Sequence, residues 1–179
     1  MTDSTSENTH IHSTMITIFT TGGTIDKFYF DEKSEFCVGD PQIISVLEEA
    51  NITSTYTLES IIRKDSLELT PADITLIRNK VLGSDAERIL ITHGTDTMLT
   101  TAKALKSCHC PEKTIVLIGA MRPKHMRDSD AHFNIGYGVA ATQLLSPGVY
   151  IAMNGRIFDP DSAIKNRDKS RFELAPPNE

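Results

Sequence analysis

Cysteine is scarce in this chain. There are three, Cys37, Cys108 and Cys110. An odd count of this size excludes a disulfide framework and fits a reducing cytoplasm. Cys108-His109-Cys110 lacks the second ligand pair that a structural zinc site needs, so it reads as a helix-to-strand loop and no metal is expected. Basic residues are outnumbered, with 18 Lys and Arg against 24 Asp and Glu, a net charge of −6 and a pI near 5.5. That balance disfavours a general nucleic-acid role. No apolar run approaches membrane-spanning length, so no membrane partner is expected. Residues 1–14 lack the basic start and apolar core of a signal peptide and read as a mobile polar leader. No G-x-x-x-x-G-K-[ST] is present, and no G-x-G-x-x-G leads into a helix, which excludes the common phosphate loops. There is no internal repeat and no credible linker.

What is present is a chain of 179 residues, 39% of them hydrophobic. This is enough for one domain that buries roughly 70% of the surface its unfolded form exposes. The chain is organised around Met15 to Asp26, MITIFTTGGTID. Met15, Ile16, Ile18 and Phe19 read as a buried strand. Gly22 and Gly23 then permit a sharp turn and a close approach to a ligand, and they present Thr24. Two further buried strands end in similar turns. Arg88–Thr92 runs into His93-Gly94-Thr95-Asp96, and Lys113–Ile118 into Gly119-Ala120-Met121-Arg122-Pro123.

Helices alternate with these strands. Asp40 is the expected N-cap and Pro41 the first residue of a helix through Ala50. Thr70-Pro71 repeats the signal, with Ile74, Ile77 and Val81 on one face of a helix ending near Gly83. A strand over 53–62, a helix over 97–105, a helix over 131–145 rich in small residues, and a strand over 149–153 before an Asn154-Gly155 turn complete the pattern. The mixed segment 26–38 reads as a hairpin or a mobile lid, and Lys165 as lying on a loop in a polar tail. The alternation predicts an α/β fold, a single doubly wound domain over 15–179 with a mostly parallel central sheet. The glycine turns at the carboxyl ends of three strands should line one crevice.

That crevice would hold two threonines and a carboxylate, suited to a hydroxyl nucleophile or a polar small-molecule cradle. Each also has a plain reading. Thr24 can be a turn hydroxyl capping a backbone N–H, and Thr95-Asp96 can be the capped, dipole-matched start of a helix. A threonine hydroxyl needs a base before it attacks. His93 lies close in sequence but reads as a structural histidine at a strand end. A lysine beside a hydroxyl and a carboxylate could serve, although pattern alone does not choose which.

TGGTID at 21–26, ITHGTDTM at 91–98 and GAMRP at 119–123 resemble the bacterial L-asparaginase family, in the expected order. The likeness continues through Asp130-Ala131-His132-Phe133-Asn134 and through Gly148 to Lys165. The resemblance implies the fold of that family's amino-terminal domain and hydrolysis of L-asparagine to L-aspartate and ammonia through an acyl-enzyme, with no cofactor. It implies Thr24 as nucleophile, Tyr29 as the residue that orients or activates it, and Thr95, Asp96 and Lys165 as a second triad. Gly23, Ser66, Thr95 and Asp96 are implied to bind substrate, Ser66 at the α-carboxylate, and the protein to be a cytoplasmic homo-oligomer. Three departures stand out. The chain stops soon after Phe172-Glu173-Leu174, so it resembles a short form without the family's second domain. Leu67 follows Ser66 where secreted members carry a polar residue. Tyr29 also follows Thr24 more closely than in those members. L-Glutamine, alone or beside asparagine, is the nearer alternative substrate, since one methylene is worth only ~1–3 kcal/mol in a pocket. A non-catalytic amino-acid sensor is the alternative of another class, and the retained threonine-lysine pair argues against it.

Overall fold

In the computed structural model, which describes residues 15–32 and 34–176, Ile16–Gly22 forms the first strand, β1. The polar leader, residues 1–14, lies outside the described residues. A short helical turn at Thr24–Asp26 follows, then a hairpin of β2, Lys27–Phe30, and β3, Glu35–Val38. Next come α1 (Ile43–Glu49), β4 (Tyr56–Lys64), a helical turn at Ser66–Glu68, α2 (Pro71–Leu82), β5 (Arg88–Thr92) and α3 (Met98–Lys106). The chain continues through β6 (Thr114–Ile118), α4 (Ala131–Leu144), β7 (Gly148–Met153), β8 (Arg156–Phe158), β9 (Ala163–Asn166) and β10 (Arg171–Leu174).

Six strands form the central sheet in the order β4-β1-β5-β6-β7-β8, and only the last pairing is antiparallel. The chain moves from β1 outward to β4, then returns to β5 on the other side of β1. The reversal therefore lies between β1 and β5, where open α/β sheets place their ligand crevice. Alternate side chains feed two cores. Phe19, Ile89, Ile91, Ile115, Leu117 and Ile151 pack against α2 and α3. Ile16, Ile18, Leu90, Val116 and Ile118 pack against α1 and α4. Ile89, Leu90 and Ile91 are wholly buried, each contributing about 1.5–3 kcal/mol of hydrophobic stabilisation. The expected doubly wound architecture is thus present, and the 26–38 segment is a hairpin.

Several local expectations need correction. Thr70 caps α2 through a full capping box with Asp73, as its sequence signals. Asp40, however, does not cap α1. That helix begins at Ile43, and the N–H of Gln42 donates at 2.8 Å to Asp26 Oδ1, while Asp40 pairs with Arg63. A carboxylate from the turn after β1 thus holds the residue that precedes the helix, and no side chain caps its first turn. Lys165 is not on a loop. It lies in β9, whose partner β10 carries Phe172 opposite it, and Phe172 with Ala163 is buried in the α2–α3 core. In α4, Gly138 and Ala141 are buried in the core that this helix shares with α1 and the sheet, whereas Gly136 and Ala140 stay exposed.

Asp26 is 2% exposed, and burial pushes its carboxyl from the ordinary 3.8 up to about 6, against the bond from Gln42 and the charge of Arg63. The folded chain therefore holds this proton more tightly than the unfolded chain. The resulting stability is complete below about pH 4 and is lost as pH rises through 6. Asp26→Asn keeps the acceptor for Gln42 without the charge. At pH 7 it should be more stable than the wild type by up to about 3 kcal/mol, and the gap should close near pH 4. Paired denaturation curves at the two pH values check this.

Candidate active site

Two glycines without side chains bring three loops into contact at the carboxyl ends of β1, β4 and β5. Gly23, at φ 87°, lies so close to the β5 turn that a Cβ on it would fall 2.5 Å from Gly94 Cα. A Cβ on Gly94 would fall 2.5 Å from Ser66 Oγ. Only glycine fits both places. The pile is bonded as well as packed: Gly23 N–H donates to Lys64 O at 3.0 Å, and Thr97 Oγ1 donates to Ser66 O at 3.0 Å. Thr24, half-buried, is the next residue along from Gly23, and Thr95 the next from Gly94.

Thr95 and Asp96 do not cap α3, which starts at Met98 after Thr97. Lys165 engages them instead. Its Nζ donates to Thr95 Oγ1 at 2.7 Å and to Asp96 Oδ1 at 2.9 Å. Thr95 is 4% exposed and the Lys165 side chain 15%. A buried ammonium is costly unless paired, and here it has both a carboxylate and a hydroxyl. A second cation shares the carboxylate, since Arg167 Nη2 lies 2.9 Å from Asp96 Oδ1. Sequence reasoning missed Arg167. Its signal was its place two residues beyond Lys165, which a loop assignment for that stretch hid.

His93 is structural, as expected. It is buried, Nδ1 meets Gly94 O at 2.8 Å, and Nε2 meets Thr101 Oγ1 at 2.9 Å. Burial lowers its pKa to about 4, which keeps the ring neutral. Ser66 is 2% exposed beneath Gly94, and Leu67 beside it is open to solvent. The turn carrying Ser66 is fixed by Asp65, which accepts from Leu67 N–H at 2.9 Å and pairs with Lys27 of the hairpin. Asp130 accepts from the N–H groups of Met121 and Arg122 and so fixes the turn after β6.

The structure thus brings Gly23, Ser66, Thr95, Asp96 and Lys165 together at the β1/β5 opening, with Thr24 on its rim. Tyr29 is not joined to them. It is 48% exposed on β2, its ring packs edge-on against Phe36 at 5.5 Å, and no hydrogen bond links it to Thr24 among the described residues.

Residues 15–178 match the family model described as Asparaginase, N-terminal. Probable L-asparaginase 1 of Schizosaccharomyces pombe is 30% identical over 154 residues, covering 79% of this chain and 43% of that protein. A glutamyl-tRNA(Gln) amidotransferase component from Methanococcus vannielii is 47% identical over 74 residues, 41% of this chain and 17% of that one. The thermostable L-asparaginase from Thermococcus kodakarensis superposes with a TM-score of 0.77 at 26% identity, over 89% of this chain and 51% of that chain. The chain therefore spans less than half the length of these curated relatives.

The glycine contacts make a direct prediction. Gly94→Ala should cost roughly 1–3 kcal/mol by forcing the Ser66 loop away. Gly136→Ala, where nothing crowds the added carbon, should instead stabilise by roughly 0.5–1 kcal/mol. Thermal melts of the two variants beside the wild type should move in opposite directions.

Proposed function

The chain belongs to the asparaginase family, and from that premise we propose that it hydrolyses the side-chain amide of L-asparagine to L-aspartate and ammonia through an ester on Thr24. The observation that carries the reading is Lys165 Nζ bonded to both Thr95 Oγ1 and Asp96 Oδ1 beside the Thr24 turn. A solvated surface lysine has no reason to sit there, and a pure binding site has no use for a lysine-polarised threonine.

In this reading Thr24 Oγ attacks the amide carbon while its proton passes to a neighbouring oxygen base. The carbonyl oxygen becomes an oxyanion, which backbone N–H groups around Thr95 stabilise. Collapse expels ammonia after protonation of the leaving nitrogen and leaves a β-aspartyl ester. A water, oriented by the Thr95–Lys165 pair, then cleaves the ester and restores the Thr24 hydroxyl. Asp96 receives the substrate ammonium and the Ser66 turn lies toward its carboxylate. A proton path through Tyr29 requires the β2–β3 hairpin to fold toward Thr24, since Tyr29 otherwise rests on Phe36.

Glutamine is the second substrate to consider. The similarity to an amidotransferase component supports amide handling without fixing chain length, and one methylene is worth only ~1–3 kcal/mol. Ammonia release from asparagine and glutamine, measured in parallel, tests both. Thr24→Ala should fold normally and lose nearly all turnover, and acid-quenched wild type should carry the acyl adduct on Thr24. Turnover above a few per cent in that variant would move the nucleophile to Thr95. Lys165→Met should also abolish turnover with little change in Tm, because Arg167 still pairs with Asp96.

A further inference from the structure

Asp96 carries one more cation than the reaction above uses. Its Oδ1 accepts from Lys165 Nζ and also pairs with Arg167 Nη2, both at 2.9 Å. The two cations differ in how they are held. Lys165 is nearly enclosed and has a second bond to Thr95, whereas the Arg167 side chain is 69% exposed. The backbone beneath Arg167 is nonetheless fixed. Asn166 Oδ1 accepts from Lys169 N–H at 3.0 Å, Asn166 Nδ2 donates to Glu173 at 2.9 Å, and Ser170 N–H closes the turn on Arg167 O at 3.2 Å. An exposed guanidinium thus projects from a firm base.

We propose that Arg167 is a specificity residue for the α-carboxylate of the substrate: it occupies Asp96 in the free site and passes to that carboxylate when an α-amino acid amide binds. The proposal rests on the amide-hydrolase reading, in which Asp96 receives the substrate ammonium. That ammonium would be a third cation on one carboxylate. Mutual repulsion then displaces whichever cation is held least, and that is Arg167. The displaced guanidinium does not go to water unpaired, because an α-amino acid presents its carboxylate two bonds from the ammonium. The planar fork of arginine matches a carboxylate with two parallel hydrogen bonds, which a lysine at the same place does not. Ser66, by contrast, offers a neutral hydroxyl, and its residue is 2% exposed beneath Gly94. The exchange leaves every charge paired in both states.

Steady-state kinetics on the full chain test this with three amides: asparagine, succinamate, which lacks the α-amine, and 3-aminopropanamide, which lacks the α-carboxylate. Arg167→Ala should raise KM for asparagine about three- to tenfold, as loss of a charged hydrogen bond at an exposed position implies, and should change KM for succinamate less, since without an ammonium nothing displaces Arg167 from Asp96. Its kcat should change less than about twofold, as for an interaction equal in ground and transition states. KM for 3-aminopropanamide should stay level or fall, since its ammonium no longer competes with Arg167. Arg167→Lys should restore only part of the loss. An unchanged or lower KM for asparagine would overturn the proposal and leave Arg167 a plug on Asp96. An equal rise for all three amides would also overturn it. If the wild type releases no ammonia from any amide, the hydrolase reading fails separately. Calorimetric titration with L-aspartate then decides the role of Arg167 without turnover: weaker binding by Arg167→Ala supports it, and equal or tighter binding refutes it.

Discussion

The contact of Gly23 on Gly94 and of Gly94 on Ser66 is the constraint from which the site follows. Parallel strands lie roughly 4.8 Å apart in a sheet, but the turns at their ends splay unless something holds them. Here each turn presents bare backbone to the next, at distances that exclude a Cβ. Thr24, Thr95 and Ser66 sit in or next to these contacts, so the approach of the backbones sets the spacing of their hydroxyls. The polar groups gather at one end of the sheet because the strands beneath them are parallel.

Lys165 reaches this opening from outside the central sheet. The β9–β10 hairpin forms its own two-stranded ladder and anchors to the fold through Phe172 and Ala163 in the core and through Phe172 N–H on Asn154 Oδ1 at 2.9 Å. Hydrophobic burial of one strand's side chain thereby holds a charged side chain on the other. The arrangement explains how an ammonium can lie beside a hydroxyl with little solvent. The hairpin's packing energy offsets its desolvation, and the carboxylate of Asp96 supplies the counter-charge.

Polar groups buried around the opening are held in neutral or paired states by the same packing. His93 is kept neutral and tied to Gly94 and Thr101, so it braces the β5 turn. Asp26 joins the Thr24 turn to α1 through Gln42, and Asp130 joins the β6 turn to the start of α4. Each carboxylate links a strand-end turn to a helix, so displacement of one element is resisted by the others.

Local signals in the sequence determined the buried strands at Ile16, Arg88 and Thr114, the capped start of α2, the Asn154-Gly155 hairpin and the order of elements that makes the sheet parallel. Those features depend on residues a few positions apart, through side-chain period, capping and turn chemistry. The motifs around Thr24 and Thr95 were legible for the same reason. Tertiary structure alone decided the rest. The entry to α1 is held by Asp26, 16 residues before its Gln42 partner, while Asp40 turns to Arg63. The strand that carries Lys165 lacks a continuous apolar run, since only Ala163 and Phe172 of its hairpin face the core. Its ladder forms because Phe172 finds Phe158 and the α2–α3 core, a contact no local pattern encodes. Arg167 beside Asp96, and Tyr29 on Phe36 with no bond to Thr24, are likewise products of distant segments meeting, and only the packed chain fixes them.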